Sequence, residues 1–183
     1  MVLRIAVSGS AGVGKTTLAR RLAAVLGLPY IGEGMREYLE RTGQDLHRLG
    51  HAGMRDLVLA LWEERKSAED AAGAFVADRA GYDFAAFWLH YHFAEEDAVT
   101  DRLFAETLAP GRYDAVFVLP WGRIPLVADG VRTPNRWTQL HYQLLLEGLL
   151  RVHAPECAAV AAVGLDERVA EIVARLGGPN ASR

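Results

Sequence analysis

The sequence predicts an α/β protein with helices layered on a parallel sheet, and three observations carry that prediction. Short apolar segments alternate with longer stretches of helical periodicity along the chain, the order that builds strand–helix–strand units. A glycine-rich turn joins the first apolar segment to the first helical one. The length of 183 residues suits one domain spanning 1–183, large enough to bury a substantial core.

Residues 3–8 read as a short strand and 9–14 as the loop that follows it. In 15–26, Leu18, Leu22, Val25 and Leu26 recur at helical spacing, with Arg20 and Arg21 elsewhere on the wheel. Gly27 and Pro29 stop that helix. Residues 28–31 form a second strand, ending at Gly32-Glu33-Gly34, and 35–41 a turn or two of helix. A long amphipathic helix covers 53–72 and stops at Gly73; its charged run Glu63-Glu64-Arg65-Lys66 reads as a solvated face. Residues 74–77 are a buried strand that delivers Asp78 and Arg79 at its carboxyl end. Helices follow at 84–93 and 97–109, with Asp83 the N-cap of the first. Residues 115–119 are the clearest strand, 121–135 an arginine-bearing loop, 136–152 a helix, 157–163 a last strand and 166–176 a terminal helix.

Composition narrows the classes. With 51% hydrophobic and 23% charged residues the chain is globular rather than disordered. A net charge of −3 and a pI near 6.1 leave no global basic field for nucleic acid or anionic membrane. Cys157 is the single cysteine, which rules out an intrachain disulfide and a multi-cysteine zinc site. Residues 1–7 lack a signal pattern and no apolar run approaches the ~20 residues of a membrane span, so the expected address is the cytoplasm. The twenty basic residues include only two lysines, Lys15 and Lys66, so a lysine at position 15 stands out against a background of arginine.

Gly9-Ser10-Ala11-Gly12-Val13-Gly14-Lys15-Thr16 fits G-x-x-x-x-G-K-[ST] in full, with a strand before it and a helix after it. The glycines let backbone N–H groups turn inward toward phosphate oxygens, and the helix adds its free amides and positive dipole end. Lys15 is placed to reach β- and γ-phosphates, and the Thr16 hydroxyl to ligate Mg2+. ATP with Mg2+ is the expected cofactor pair.

In an open α/β sheet the ligand crevice lies beyond the carboxyl ends of the strands. Glu33 and Arg36 after the second strand, and Asp78 and Arg79 after the third, therefore fall beside the phosphate loop. A carboxylate there can take a proton from an attacking hydroxyl or hold Mg2+, and an arginine can grip phosphate or substrate oxygens. Asp78 is expected at the metal or as base, and Glu33 at the acceptor, alongside Arg36 and Arg79. Arg123, Arg132 and Arg136 make 121–136 a candidate lid, with Arg132 the arginine expected over the transferring group. His90 and His92, two apart on a helix, do not face one point and are expected to pack in core or groove. Phe84, Phe87 and Trp88 fill core or line an acceptor pocket.

These segments together resemble the AAA-type small P-loop proteins related to the ribosylnicotinamide kinase domain of bacterial NAD-biosynthesis proteins. Gly9 through Thr17 is similar to that family's phosphate loop, and Glu33-Gly34-Met35-Arg36-Glu37-Tyr38 to its segment after the second strand. Asp78-Arg79-Ala80-Gly81-Tyr82-Asp83 resembles its aspartate-arginine-glycine segment, although Ala80 stands where glycine is usual. Val127-Ala128-Asp129-Gly130-Val131-Arg132 resembles its lid segment. The resemblance implies a three-layer P-loop NTPase fold of the nucleoside/nucleotide-kinase kind, with five parallel strands. It also implies ATP-dependent phosphorylation of a small-molecule acceptor in a pocket bounded by Glu33 and Asp78. Two other readings remain open: an ATP-dependent switch acting through a protein partner, and a polynucleotide kinase, which the acidic balance disfavours. The guanine-reading [N/T]-K-x-D segment is missing, which argues against a Ras-type GTPase. The sequence does not specify the oligomeric state.

Overall fold

The computed structural model describes residues 3–124 and 135–177, the side chain of His47 excepted. Five strands form one all-parallel sheet in the order β2-β3-β1-β4-β5, with β1 Arg4–Ser8 at the centre. The others are β2 Tyr30–Ile31, β3 Phe75–Asp78, β4 Ala115–Val118 and β5 Cys157–Ala159. Helices α1 Lys15–Leu26, α2 Met35–Thr42, α3 His51–Ala72, α4 Gly81–His90, α5 Ala98–Thr107, α6 Arg136–His153 and α7 Leu165–Leu176 connect and cover them, with a 3-10 turn at Leu46–Arg48.

Side chains alternate across a strand, and here both faces are buried, as parallel sheets require. Ile5 and Val7 of β1 face one way, into a core with Leu18 and Leu22 of α1 and Ile172 of α7. Ala6 faces the other way, with Phe75 and Ala77 of β3, Tyr82 and Ala86 of α4, and Leu146 and Leu150 of α6. Helix, sheet and helix therefore make three layers, as expected. A third cluster packs Leu57, Leu61 and Trp62 of α3 against Phe84 and Trp88 of α4 and Leu103 of α5. Its aromatic members on α4 are thus core, while Phe87 is only partly buried.

Several expectations shift by a residue or more. Asp78 is the last residue of β3 rather than the first after it. Helix α4 begins at Gly81, because Ala80 is its N-cap and Asp83 sits at the third helical position. Asp83 is therefore not the cap; its carboxylate reaches back to the Ala80 N–H at 3.0 Å, the returning half of a capping box. Helix α3 starts earlier than expected, at His51, and β5 stops at Ala159. Gly81 is demanded by packing: a Cβ there would lie 2.7 Å from the Thr107 carbonyl oxygen. No helix among the described residues is long and apolar enough to cross a membrane.

Candidate active site

The loop between β1 and α1 wraps the amino end of α1 at the carboxyl edge of the sheet. Gly14 adopts φ 88°, a left-handed conformation that a side chain resists, and it opens α1, whose first-turn amides have no intrahelical carbonyl to bond. Gly9 has φ 140°, and a Cβ there would stand 3.0 Å from the Leu119 carbonyl oxygen. Lys15 is the first residue of α1 and only 4% exposed; its ammonium donates to the Ser10 carbonyl at 2.6 Å. Burial, and then the neighbouring Arg79 guanidinium, lower its pKa from 10.5 to about 7. An anion arriving in the loop reverses that balance.

Thr16 and Asp78 meet across the crevice, the hydroxyl donating to Asp78 Oδ2 at 2.5 Å. They meet because β3 lies beside β1, with Val7 opposite Asp78 in register. Asp78 is buried, and its other oxygen, Oδ1, has no hydrogen-bond partner among the described residues. Buried carboxylate oxygens are rarely left so. Two hard oxygen donors, one of them unfilled, beside a phosphate cradle suit Mg2+, which takes one or two protein ligands and completes its shell with phosphate and water.

Glu33 accepts from Arg79 Nε at 2.8 Å. Arg79 is itself 2% exposed and also donates to Asp83 Oδ1, the Tyr142 hydroxyl and the Gly9 carbonyl. Burial opposes its charge, but Glu33, Tyr142 and Asp83 outweigh that and hold its pKa well above the usual value. Its backbone takes φ 85°, a strained conformation for a non-glycine residue. Asp83 also accepts from the Ser8 hydroxyl at 2.6 Å, so the network ties β1, β3, α4 and α6 together.

Glu33 lines three cavities, two of them of appreciable volume. One, of about 150 Å3, is lined by Thr16, Arg20, Tyr30, Glu33, Arg36 and Asp78. The other, of about 210 Å3, is lined by Ala11, Glu33, Phe87, His90, Tyr91 and Tyr142, among others. The Phe87 and Tyr91 rings are stacked at 6.1 Å and 18°, and the Arg79 guanidinium lies 4.8 Å over the Phe87 ring. His90 lines this second cavity with its Nδ1 3.1 Å from His141 Nδ1. Burial, and then His141, lower its pKa. His92, by contrast, is exposed, so only one of the two expected packing histidines packs.

The structure thus brings Gly9–Thr16, Glu33, Asp78 and Arg79 together, with Thr17 exposed and Arg36 on the rim of the first cavity. Arg123 and Arg136 are exposed near the two ends of the candidate lid, Arg136 lying 4.2 Å over the Trp137 ring. Arg132 and residues 125–134 lie outside the described residues.

Other contributors lie on helices outside the predicted segments. Arg65 does not belong to a solvated face: it is 3% exposed and donates to the carbonyls of Ile31, Gly32, Asp78 and Arg79. On α6, Gln143 accepts from the Ser10 N–H at 2.7 Å and Gln139 from the Ala11 N–H at 3.0 Å. Arg168 of α7 donates to the Val13 carbonyl at 2.8 Å. Spacing carried a signal: Leu57, Leu61, Arg65 and Glu69 share one buried stripe, as do Gln139, Tyr142, Gln143, Leu146 and Leu150. A polar residue on an apolar stripe marks a buried bond to be found.

A family model described as an AAA domain matches residues 4–168. A cytidylate kinase of Pyrobaculum aerophilum is 56% identical over 43 residues, 22% of this chain and 23% of that protein. One from Desulfurococcus amylolyticus is 37% identical over 70 residues, 37% of this chain and 38% of that one. These matches therefore span about a quarter to two fifths of the curated relatives' length. Among solved structures, a NadR protein in complex with NR superposes with TM-score 0.69 at 21% identity, over 95% of this chain and 51% of that one. A deoxyadenosine kinase from M. mycoides superposes with TM-score 0.66 at 17% identity, over 95% and 98%. At such identities the likeness establishes the fold, and the fold is the one expected from the sequence, a P-loop sheet of the nucleoside- and nucleotide-kinase kind.

Proposed function

The chain belongs to the AAA domain family, and from that premise we propose that it is an ATP-dependent phosphotransferase acting on a hydroxyl of a nucleoside, a nucleotide or a similar small metabolite. One observation carries the reading. Glu33 lines both cavities, one bounded by Thr16 and Asp78 and the other walled by Phe87, Tyr91 and Tyr142, so one carboxylate faces a phosphate end and a ring-binding end together.

The geometry supports the following roles. Within the Gly9–Thr17 loop the amides of 12–17 bind the triphosphate, those of Ser10 and Ala11 being held by Gln143 and Gln139, and Lys15 neutralises the far phosphates. Thr16 and Asp78 would hold Mg2+, which when bound draws charge from the phosphate oxygens. The acceptor ring lies against Phe87 and Tyr91, and Arg79 holds Glu33 toward the acceptor hydroxyl. As the hydroxyl oxygen bonds to the γ-phosphorus, its proton passes to Glu33 or Asp78, the bond from γ-phosphorus to the bridging oxygen breaks, and ADP leaves. Arg36 is assigned to the acceptor, and Arg123, Arg132 and Arg136 to a lid that excludes water during transfer.

The cytidylate kinases among the relatives, and the deoxyadenosine kinase among the fold neighbours, support putting nucleosides and their monophosphates first in an acceptor panel. The test is ADP release from ATP and Mg2+ with and without each acceptor, with the phosphorylated product identified by mass. Stimulation by an acceptor of more than about tenfold over its absence is expected. Slow hydrolysis indifferent to every acceptor would sink the kinase reading and leave the switch.

A further inference from the structure

Arg65 belongs to α3, outside both cavities and the phosphate loop. Its Nη2 donates to the Gly32 carbonyl at 2.6 Å and the Asp78 carbonyl at 2.7 Å, and its Nη1 to those of Arg79 at 3.3 Å and Ile31 at 3.4 Å. Two of these carbonyls end β2 and two end β3, so a single planar group spans the exits of both strands.

Those exits carry the chemistry. The residue after Gly32 is Glu33, and Asp78 and Arg79 bear the carboxylate that meets Thr16 and the guanidinium that bonds Glu33. The bond to the Arg79 carbonyl has a particular consequence. Arg79 sits at φ 85°, a strained conformation for a non-glycine residue that persists only where its surroundings enforce it. Arg65 bonds the carbonyls on either side of that kink, and the kink turns the Arg79 side chain toward Glu33. A lysine could keep the charge but not the fork that reaches both strands.

We propose that Arg65 is a positioning residue for phosphoryl transfer, setting the separation of Glu33 from Asp78 by clamping the carbonyls at the ends of β2 and β3. The proposal rests on the phosphotransferase reading above. It assigns Arg65 no contact with either substrate, so it predicts a loss in turnover without a matching loss in nucleotide binding.

The test compares Arg65→Lys and Arg65→Met with the unaltered protein and with Glu64→Gln, a change on the exposed side of the same helix. Three readouts are needed: ADP affinity by calorimetry, kcat and KM for the best acceptor, and amide exchange followed by mass spectrometry. In Arg65→Lys, kcat should fall about 10- to 100-fold, as for other supporting-shell losses, while ADP affinity stays within about twofold. Exchange should quicken at 32–34 and 78–80 but not at 10–16, and Glu64→Gln should match the unaltered protein throughout. Should Arg65→Met fail to fold, the lysine variant still decides. An unchanged kcat, or a loss of ADP affinity as large as the loss of kcat, would overturn the proposal. If no acceptor is phosphorylated even by the unaltered protein, the phosphotransferase reading fails. The exchange pattern alone then decides whether Arg65 clamps the two exits, and unchanged exchange at 32–34 and 78–80 overturns the clamp itself.

Discussion

Nucleotide binding should drive proton uptake by Lys15, and the amount can be worked from its surroundings. The buried ammonium is destabilised first by desolvation and then by Arg79, which brings its pKa from 10.5 to about 7. That displacement corresponds to an upper bound of roughly 5 kcal/mol between its protonation states. At pH 8.5 Lys15 is then mostly neutral in the free protein, whereas beside two phosphates it is charged. Binding ADP at pH 8.5 should therefore take up close to one proton, and fewer as the pH falls through 7. Calorimetry in buffers of different ionisation enthalpy reads this directly, as the slope of apparent binding enthalpy against buffer enthalpy. In Lys15→Arg, charged at every accessible pH, the slope should vanish. A slope of zero in the unaltered protein at pH 8.5 would refute the reasoning. The same group makes a stability statement. Between pH 7 and 10.5 the unfolded chain binds more protons at Lys15 than the folded one, so its contribution to stability rises with pH across that window and is absent below it.

Three further outcomes are expected. Asp78→Asn removes a carboxylate charge from the crevice while keeping an oxygen for Thr16, so acceptor phosphorylation should drop about 100-fold or more, read in steady-state assays across a Mg2+ titration; full turnover would remove Asp78 from the chemistry. Gly81→Ala would push a methyl group 2.7 Å from the Thr107 carbonyl oxygen and 3.2 Å from Trp62, and overpacking of this kind should cost about 1–3 kcal/mol in urea unfolding. Gln143→Leu strips the partner from the buried Ser10 N–H and from the Leu119 carbonyl, and should cost roughly 1–3 kcal/mol, measured by the same unfolding curves.

The parts of the site that were legible from sequence are those whose neighbours in space are also neighbours in the chain. The phosphate loop is a local structure: its glycines, its lysine and the helix after it need only each other, and 15–26 matched its helix residue for residue. The sheet was legible for a related reason, since strands buried on both faces read as apolar runs wherever they lie. Glu33 and Asp78 could be located by their position at the carboxyl ends of strands, because a parallel sheet gathers those ends on one edge.

Arg65, Gln139 and Gln143 could not be assigned from local pattern, nor could the identity of the Asp83 partners. Asp83 stands three residues from its helix cap yet bonds Ser8 and Tyr142, which lie 75 and 59 residues away. Arg65 sits in a run of charges that looks solvated, and only the arrival of the β2 and β3 carbonyls over α3 turns it inward. The amino-acid sequence by itself determined the phosphate cradle and the order of strands and helices, because backbone conformation and apolar periodicity are short-range. Which polar side chains hold the crevice in shape was decided only by the folded chain, because a buried donor's partner is whatever unsatisfied carbonyl or amide packing delivers to it.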